Sequence, residues 1–225
     1  MSTLSTRSQL DHALKNLSDD ILRIGTLAEE QIRLAVRALE TRDAPLAHQV
    51  IAADARINSL RYSIERDGLN VMARQQPAST DLRMVIAAIH MAVELERIGD
   101  HAAGIASISL RIGDQPLVKP LTYIPVMQEK VSAMVTGALD SFLKRDVALA
   151  RAVILADDEV DALYNEALRA LIALMRTDSS SITGATYLLW VGHNLERCAD
   201  RATNLCERVL FALTGELGDI VVTRE

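Results

Sequence analysis

A seven-residue acidic motif occurs twice in this chain, 100 residues apart. Residues 95–101 read LERIGDH and residues 195–201 read LERCADR. Each copy places a glutamate and an aspartate four positions apart, Glu96 with Asp100 and Glu196 with Asp200. These positions are neighbours on one helix face. Because two carboxylates repel each other there unless a cation, a proton or an arginine offsets the charge, the repeated pair indicates a cation site or a salt-bridge network.

A second set of acidic residues precedes each motif, at matching places in the two halves. Asp157 and Asp161 are four apart in the second half, and Asp54 and Asn58 correspond to them in the first. They border an apolar stripe, so we expect them to face the motif carboxylates across a helix bundle. Carboxylates that converge from two helices suit iron, manganese, magnesium or zinc. The predicted metal ligands are Glu96, Asp100, Glu196, Asp200, Asp54, Asp157 and Asp161.

The polar stripe is longer in the second copy. His193, Asn204 and Glu207 continue it at helical spacing, and we include them as additional candidate ligands. An alternative without metal remains open, because Arg97 and Arg197 each follow the motif glutamate and an arginine–carboxylate network would also offset the charge. The motif occurs twice in the same register, which favours a metal site over the arginine–carboxylate network.

Helical periodicity extends through almost the whole chain and predicts an all-α fold. A long first helix ends at residues 41–43, and Pro45 lies in the first turn of the second. The second helix ends near residues 75–77, and the third begins with Ser79 or Asp81 as its N-cap and runs to about Gly113.

The second half repeats this pattern after a proline-containing linker. A fourth helix covers residues 126–144, Asp146 begins the fifth as Asp43 begins the second, and residues 179–181 begin a sixth that ends near residue 215. We therefore predict six long helices, arranged as two tandem antiparallel three-helix bundles related by internal duplication. The predicted units are a first bundle at 1–113, a linker at 114–124, a second bundle at 125–215 and a tail at 216–225.

Composition restricts the functional class. The net charge is −6, which argues against nucleic acid and against adsorption to anionic lipid. No apolar run is long enough to insert into a membrane, and no secretory signal is recognisable, so we expect a cytoplasmic protein. Cys198 and Cys206 lie too far apart on one helix for a disulfide and are expected to be buried thiols. No phosphate-binding glycine loop or nucleophile elbow is present, so we predict that the protein is not an enzyme.

The chain resembles the PhoU family, the accessory and regulatory proteins of bacterial phosphate-specific transport. The resemblance covers nearly the whole chain and is most specific in residues 73–77, 95–101, 116–127, 194–197 and 213–216. It implies two three-helix bundles in a homodimer, with multinuclear metal clusters at the two acidic motifs. Iron or zinc is implied first, with manganese or magnesium as alternatives.

The resemblance also implies a role and partners. Members of the family signal that phosphate is sufficient, through the ATP-binding subunit of the transporter and a sensor histidine kinase, and restrain both uptake and the starvation response. The sequence departs from the family pattern at Asn58, Gly104 and Arg201, where Asp, Asn and His are usual. A helical-bundle metalloenzyme with carboxylate-bridged metal is the alternative function, and the two carboxylate stripes and His193 motivate it.

Overall fold

The structure is a computed structural model that describes residues 3–113 and 122–216, with side chains from residue 7 onward. Six α-helices and no strand occur in these residues, which confirms the all-α prediction. The helices are α1 (Thr3–Thr41), α2 (Ala44–Gln75), α3 (Ser79–Ile112), α4 (Tyr123–Lys144), α5 (Val147–Thr177) and α6 (Ile182–Thr214). A single 3-10 turn, Ser179–Ser181, leads into α6, as the serine run predicted.

The turn between α1 and α2 has the same local structure as the turn between α4 and α5. Arg42 and Arg145 both adopt a left-handed conformation with φ of 54°. Asp43 and Asp146 then cap the following helices, each accepting a hydrogen bond from the backbone amide three residues later at 2.9 and 3.0 Å. These caps were predicted. The internal duplication is therefore visible in the backbone as well as in the sequence.

The start of α3 differs from the prediction. Its N-cap is Ala78, which offers no side-chain hydrogen bond, and both Ser79 and Asp81 already lie within the helix. Asp81 instead pairs with Arg7 of α1, with Arg7 Nη1 2.7 Å from Asp81 Oδ2. The predicted cap is wrong because this carboxylate joins two helices and does not satisfy a local amide.

The fourth helix also begins earlier than predicted, at Tyr123 and not at residue 126. Pro125 then lies in the first turn, where its missing amide proton leaves no hydrogen bond unmade. Most of the predicted linker, residues 114–121, lies outside the described residues. The same holds for the predicted tail beyond Glu216. Gly215 ends α6 in a left-handed conformation, close to the predicted boundary.

The two bundles pack along a broad contact. Helices α1–α3 pack on one another, as do α4–α6, and α3 packs on α6 while α1 packs on α4. Buried side chains from both halves form one continuous core, in which Ile24, Leu95, Met127 and Leu195 are fully enclosed. Helices α2 and α5 contact only their own bundle among the described residues and form the two outer sides of the molecule.

The two cysteines are buried thiols, as the sequence predicts. Cys198 and Cys206 are both free and buried, and burial raises the pKa of the Cys206 thiol to about 12. None of the described helices contains a stretch long and apolar enough to cross a bilayer.

Candidate metal centres in the two bundles

The first acidic site comprises Asp54 on α2 with Glu96 and Asp100 on α3. The two helices approach closely because α3 carries Gly99 at the crossing. A Cβ at that position would lie 2.9 Å from Ile57 Cδ1 of α2, well inside van der Waals contact. The close approach places Asp54 against the motif carboxylates, as the sequence predicted for the second and third helices.

One buried carboxylate oxygen of the first acidic site has no hydrogen-bond donor. Asp54 Oδ1 is buried with no hydrogen-bond partner, whereas Oδ2 accepts a bond of 2.8 Å from Asn58 Nδ2. Burial, and then the charge of Asp100, raises the pKa of Asp54. The pKa of Glu96 is also raised, first by burial and next by Asp100. The carboxylates of this site therefore destabilise one another when ionised.

Two arginines lie beside the first acidic site. Arg61 Nε lies 3.5 Å from Glu96 Oε1. Arg97 Nε lies 3.6 Å from Glu96 Oε2, and Arg97 Nη1 lies 3.5 Å from Asp100 Oδ2. Arg97 belongs to the arginine–carboxylate network that the sequence left open, whereas Arg61 was not predicted. Its position seven residues after Asp54, two turns along the same face of α2, is the signal that would have found it.

The second acidic site comprises Asp157 and Asp161 on α5 with Glu196 and Asp200 on α6. Burial raises the pKa of Asp157 to about 6, with the charges of Asp161 and Asp200 adding to the effect. Burial and Asp200 raise the pKa of Glu196 as well. Asp157 Oδ1 and Glu196 Oε2 are both buried without a hydrogen-bond partner.

His193 and Arg197 border the second acidic site. His193 Nδ1 lies 3.3 Å from Glu196 Oε2, outside hydrogen-bonding geometry, and its ring packs beside Tyr164 with the centroids 6.3 Å apart. Arg197 Nη1 donates to Asp200 Oδ2 at 2.7 Å. Arginine therefore offsets the charge at one oxygen of Asp200, as the alternative without metal predicts. The buried oxygens of Asp157 and Glu196 have no hydrogen-bond donor.

The two remaining candidate ligands lie elsewhere on α6. Asn204 Nδ2 donates to Glu94 Oε2 of α3 at 3.1 Å. Glu207 pairs with the adjacent Arg208 and lies about 16 Å along the helix from Glu196, given a rise of about 1.5 Å per residue. The structure therefore does not bring Glu207 to the same centre as Glu196.

A polar seam joins the two halves where α3 crosses α6. Glu94 accepts a hydrogen bond from Arg201 at 3.2 Å as well as the bond from Asn204, and His101 Nδ1 lies 3.1 Å from Asn194 Oδ1. A Cβ at Gly104 would lie 3.1 Å from the same Asn194 oxygen. The unusual residues at positions 104 and 201 thus belong to this seam, since Gly104 leaves room for Asn194 and Arg201 pairs with Glu94.

The case for a cation rests on the chemistry of the carboxylates and not on a preformed cluster of ligands. Among residues 3–113 and 122–216, no group of three or more His, Cys, Asp or Glu side chains is placed to hold a metal ion. Three buried carboxylate oxygens, on Asp54, Asp157 and Glu196, nevertheless have no donor. A cation close to each group would offset this desolvated charge, and oxygen ligands suit the metals that the sequence predicted.

Comparison with known proteins identifies the architecture in both halves. A family model described as the PhoU domain matches residues 21–109 and again residues 124–209. Each match contains one complete Glu-x-x-x-Asp motif. The duplicated unit found in the sequence is therefore a known domain that occurs twice.

Individual relatives match over most of their length. The phosphate-specific transport system accessory protein PhoU homolog of Caulobacter vibrioides is 37% identical over 204 residues, covering 90% of this chain and 89% of that protein. Its counterpart in Clostridium acetobutylicum is 34% identical, with coverage of 96% and 99%. The crystal structure of PhoU from Pseudomonas aeruginosa superposes with a TM-score of 0.88 at 33% identity, covering 92% of this chain and 99% of that one. The phosphate transport system regulatory protein PhoU from Streptococcus pneumoniae gives 0.88 at 31% identity, with coverage of 94% and 100%.

Proposed function

The chain belongs to the PhoU family, and we propose that it acts as a non-enzymatic accessory protein of phosphate transport. In this proposal it restrains uptake and keeps the phosphate-starvation response off when phosphate is plentiful. The observation that carries the proposal is the PhoU domain match in both halves, each with its acidic motif intact. Relatives named as accessory or regulatory proteins of phosphate transport support this function over the metalloenzyme alternative.

The proposed partners are the ATP-binding subunit of the transporter and a sensor histidine kinase, contacted in the cytoplasm by a homodimer of this chain. A regulator of this kind must offer surfaces that other proteins recognise. Large apolar side chains are exposed on two helices, with Tyr62 and Leu69 of α2 and Trp190 of α6 each 60–62% accessible. Exposed aromatic side chains are frequent anchors in protein interfaces.

Metal ions are the proposed cofactors, iron or zinc first and manganese or magnesium as alternatives. Asp54, Glu96 and Asp100 would hold one centre, and the second acidic site would hold the other. When bound, the cation would supply the positive charge that the buried carboxylates lack and would tie α2 to α3 and α5 to α6. Arg197 occupies Oδ2 of Asp200, so a cation at this site would use the other oxygen of Asp200 or displace the arginine.

The experiment that tests this function is deletion of the gene in its host, followed by measurement of phosphate uptake and of a starvation-responsive reporter at high phosphate. We expect both to rise in the deletion strain and to return to normal when the wild-type gene is restored. Unchanged uptake and reporter activity in the deletion strain would refute the proposed role.

A complementation series tests the acidic sites in the same strain. We expect no rescue by a variant in which Glu96, Asp100, Glu196 and Asp200 are all changed to Ala. The matched control changes Glu40 and Glu166, two exposed carboxylates outside the sites, to Ala and should rescue fully. Circular dichroism of the purified variants checks that each remains folded. Full rescue by the fourfold variant would separate the regulatory role from the acidic sites.

A further inference from the structure

The polar seam between α3 and α6 consists of positions that correspond to each other in the duplicated halves. Positions 94, 101 and 104 of α3 match positions 194, 201 and 204 of α6, each 100 residues later. Arg201 Nη1 donates to Glu94 Oε2 at 3.2 Å, and the same contact with the halves exchanged joins His101 Nδ1 to Asn194 Oδ1 at 3.1 Å. The seam is therefore an isologous interface, in which two copies of one surface face each other.

The third position of the seam follows the same symmetry. Asn204 Nδ2 donates to Glu94 Oε2 at 3.1 Å. With the halves exchanged, Gly104 lies beside Asn194, and a Cβ on this glycine would lie 3.1 Å from Asn194 Oδ1. Each contact of the seam therefore occurs twice, with different residues each time.

The charges of the seam are divided between the halves so that each half needs the other. The first half supplies the carboxylate of Glu94, and the second supplies the guanidinium of Arg201 and the amide of Asn204. Only 21% of the Glu94 side chain and 27% of the Arg201 side chain are accessible to solvent, so each charge requires a partner of opposite sign. A pair of second halves would place Arg201 against Asn194, and a pair of first halves would place Glu94 against His101. Either like pairing would lack one partner of the ion pair.

We propose that the seam is a recognition surface that determines which halves pair: the α3 face binds the α6 face of the other half and disfavours a second α3 face. Charge complementarity selects a partner in this way because the wrong pairing leaves charges without a counterion. Apolar contacts alone distinguish the two faces poorly, since hydrophobic burial is non-directional and both faces belong to one duplicated fold. The partner that each face fits is therefore the unlike half of this protein.

Three variants of the full-length protein test this inference. One triple variant gives both halves the α3 residues of the seam (Asn194→Glu, Arg201→His and Asn204→Gly). The other triple variant gives both halves the α6 residues (Glu94→Asn, His101→Arg and Gly104→Asn). The sextuple variant carries all six changes, which exchange the two faces. It has the same composition as the wild type and is the matched control.

Urea unfolding followed by circular dichroism measures the stability of each variant, at pH 8 where histidine is neutral and with chelator present. We expect each triple variant to raise the equilibrium constant for unfolding about tenfold or more, because partly buried charges lose their partners. We expect the sextuple variant to be more stable than either triple variant, because unlike faces meet again. Six changes that acted independently would not produce this rescue.

Two outcomes would overturn the inference. Unchanged stability of both triple variants would show that the seam does not discriminate between halves. A sextuple variant less stable than either triple variant would show that each residue acts through its own surroundings. If the triple variants do not fold, Glu94→Asn, Arg201→His and their double variant replace them, since the double variant copies the Asn194–His101 pair, and additive effects would then contradict the inference. The assay contains neither phosphate nor a transport component, so its result is independent of the proposed function.

Discussion

The two acidic sites occupy equivalent places in duplicated bundles, yet their charges are balanced differently. The second acidic site collects four carboxylates, whereas the first has three, because Asn58 stands where Asp161 stands in the other. Arg61 approaches Glu96 in the first site, and its counterpart in the second is the neutral Tyr164. Both sites have one arginine beside the motif aspartate, Arg97 and Arg197, but only the first has a second arginine beside its glutamate. We therefore expect a bound cation to matter more for the charge balance of the second site.

The largest expected effect is loss of metal from the second acidic site. Changing Glu196 and Asp200 to Ala removes two ligands, and we expect the affinity there to fall about 100-fold or more. The double variant Glu96→Ala/Asp100→Ala should retain the metal of the second acidic site, which we expect to bind metal more tightly than the first. Elemental analysis after dialysis of both double variants measures the retained metal. Equal metal loss in the two variants would contradict the ranking of the sites.

An aspartate at position 58 should make the first acidic site resemble the second, which has Asp161 at the equivalent position. Asn58→Asp replaces the amide that donates to Asp54 with a repelling charge. We expect the metal-free protein to lose about 1–2 kcal/mol of unfolding free energy and the cation affinity of the first site to rise about tenfold. Urea unfolding in chelator and metal titration measure the two effects. The reciprocal change, Asp161→Asn, is the matched variant and should act in the opposite direction at the second site.

A pH dependence follows from Asp157, whose pKa rises from 3.8 to about 6 in the folded state. The folded protein then binds this proton more tightly than the unfolded chain, so stability is highest below about pH 4 for this group and falls as pH rises through 6. With chelator present, we expect the unfolding free energy to drop by about 1–2 kcal/mol between pH 5 and pH 7, after allowance for solvent screening. Asp157→Asn should remove this component and should stabilise the metal-free protein at pH 7. An unaltered pH profile in the variant would assign the dependence to other groups.

The smallest expected effect concerns Arg61. Arg61→Gln removes one of the two arginines beside the first acidic site, so the site should bind metal a few-fold more tightly. The metal-free protein should lose about 0.5–1 kcal/mol, because the pairs of Arg61 with Glu65 and Glu96 are lost. Calorimetric titration of the variant beside Tyr164→Phe, a change at the equivalent position of the second site, separates the effect of charge from that of packing. An unchanged affinity would show that Arg61 does not compensate the site.

Local signals made most of the fold predictable. The caps Asp43 and Asp146, the helix periodicity and the repeated motif each depend on residues close together in sequence, so the six helices and their duplication followed from them. Ala78 could not be predicted as the N-cap of α3, since Asp81 is engaged by Arg7, 74 positions away. A tertiary partner changed the role of a residue whose local context indicated a cap.

The candidate sites were predictable within each bundle, but the contacts between the two bundles were not. Spacing placed Glu96 with Asp100 and Asp157 with Asp161 on common faces, and the apolar stripe turned the faces of neighbouring helices toward each other. The seam contacts of Glu94 with Arg201 and Asn204 depend on how α3 crosses α6, and helix periodicity carries no information about how the two bundles meet. For the same reason, Asn204 was grouped with the acidic motif, although its hydrogen bond is to the other half of the molecule.

The continuous core has a consequence for the stability of the two copies. Since α3 packs on α6 and buried side chains from both halves merge, neither copy retains a solvated surface where the other now lies. Separating the copies would expose leucine and isoleucine side chains to water, and each half alone would be an aggregation-prone fragment. The two copies therefore depend on each other for the burial of these side chains, and both acidic sites lie on one common scaffold.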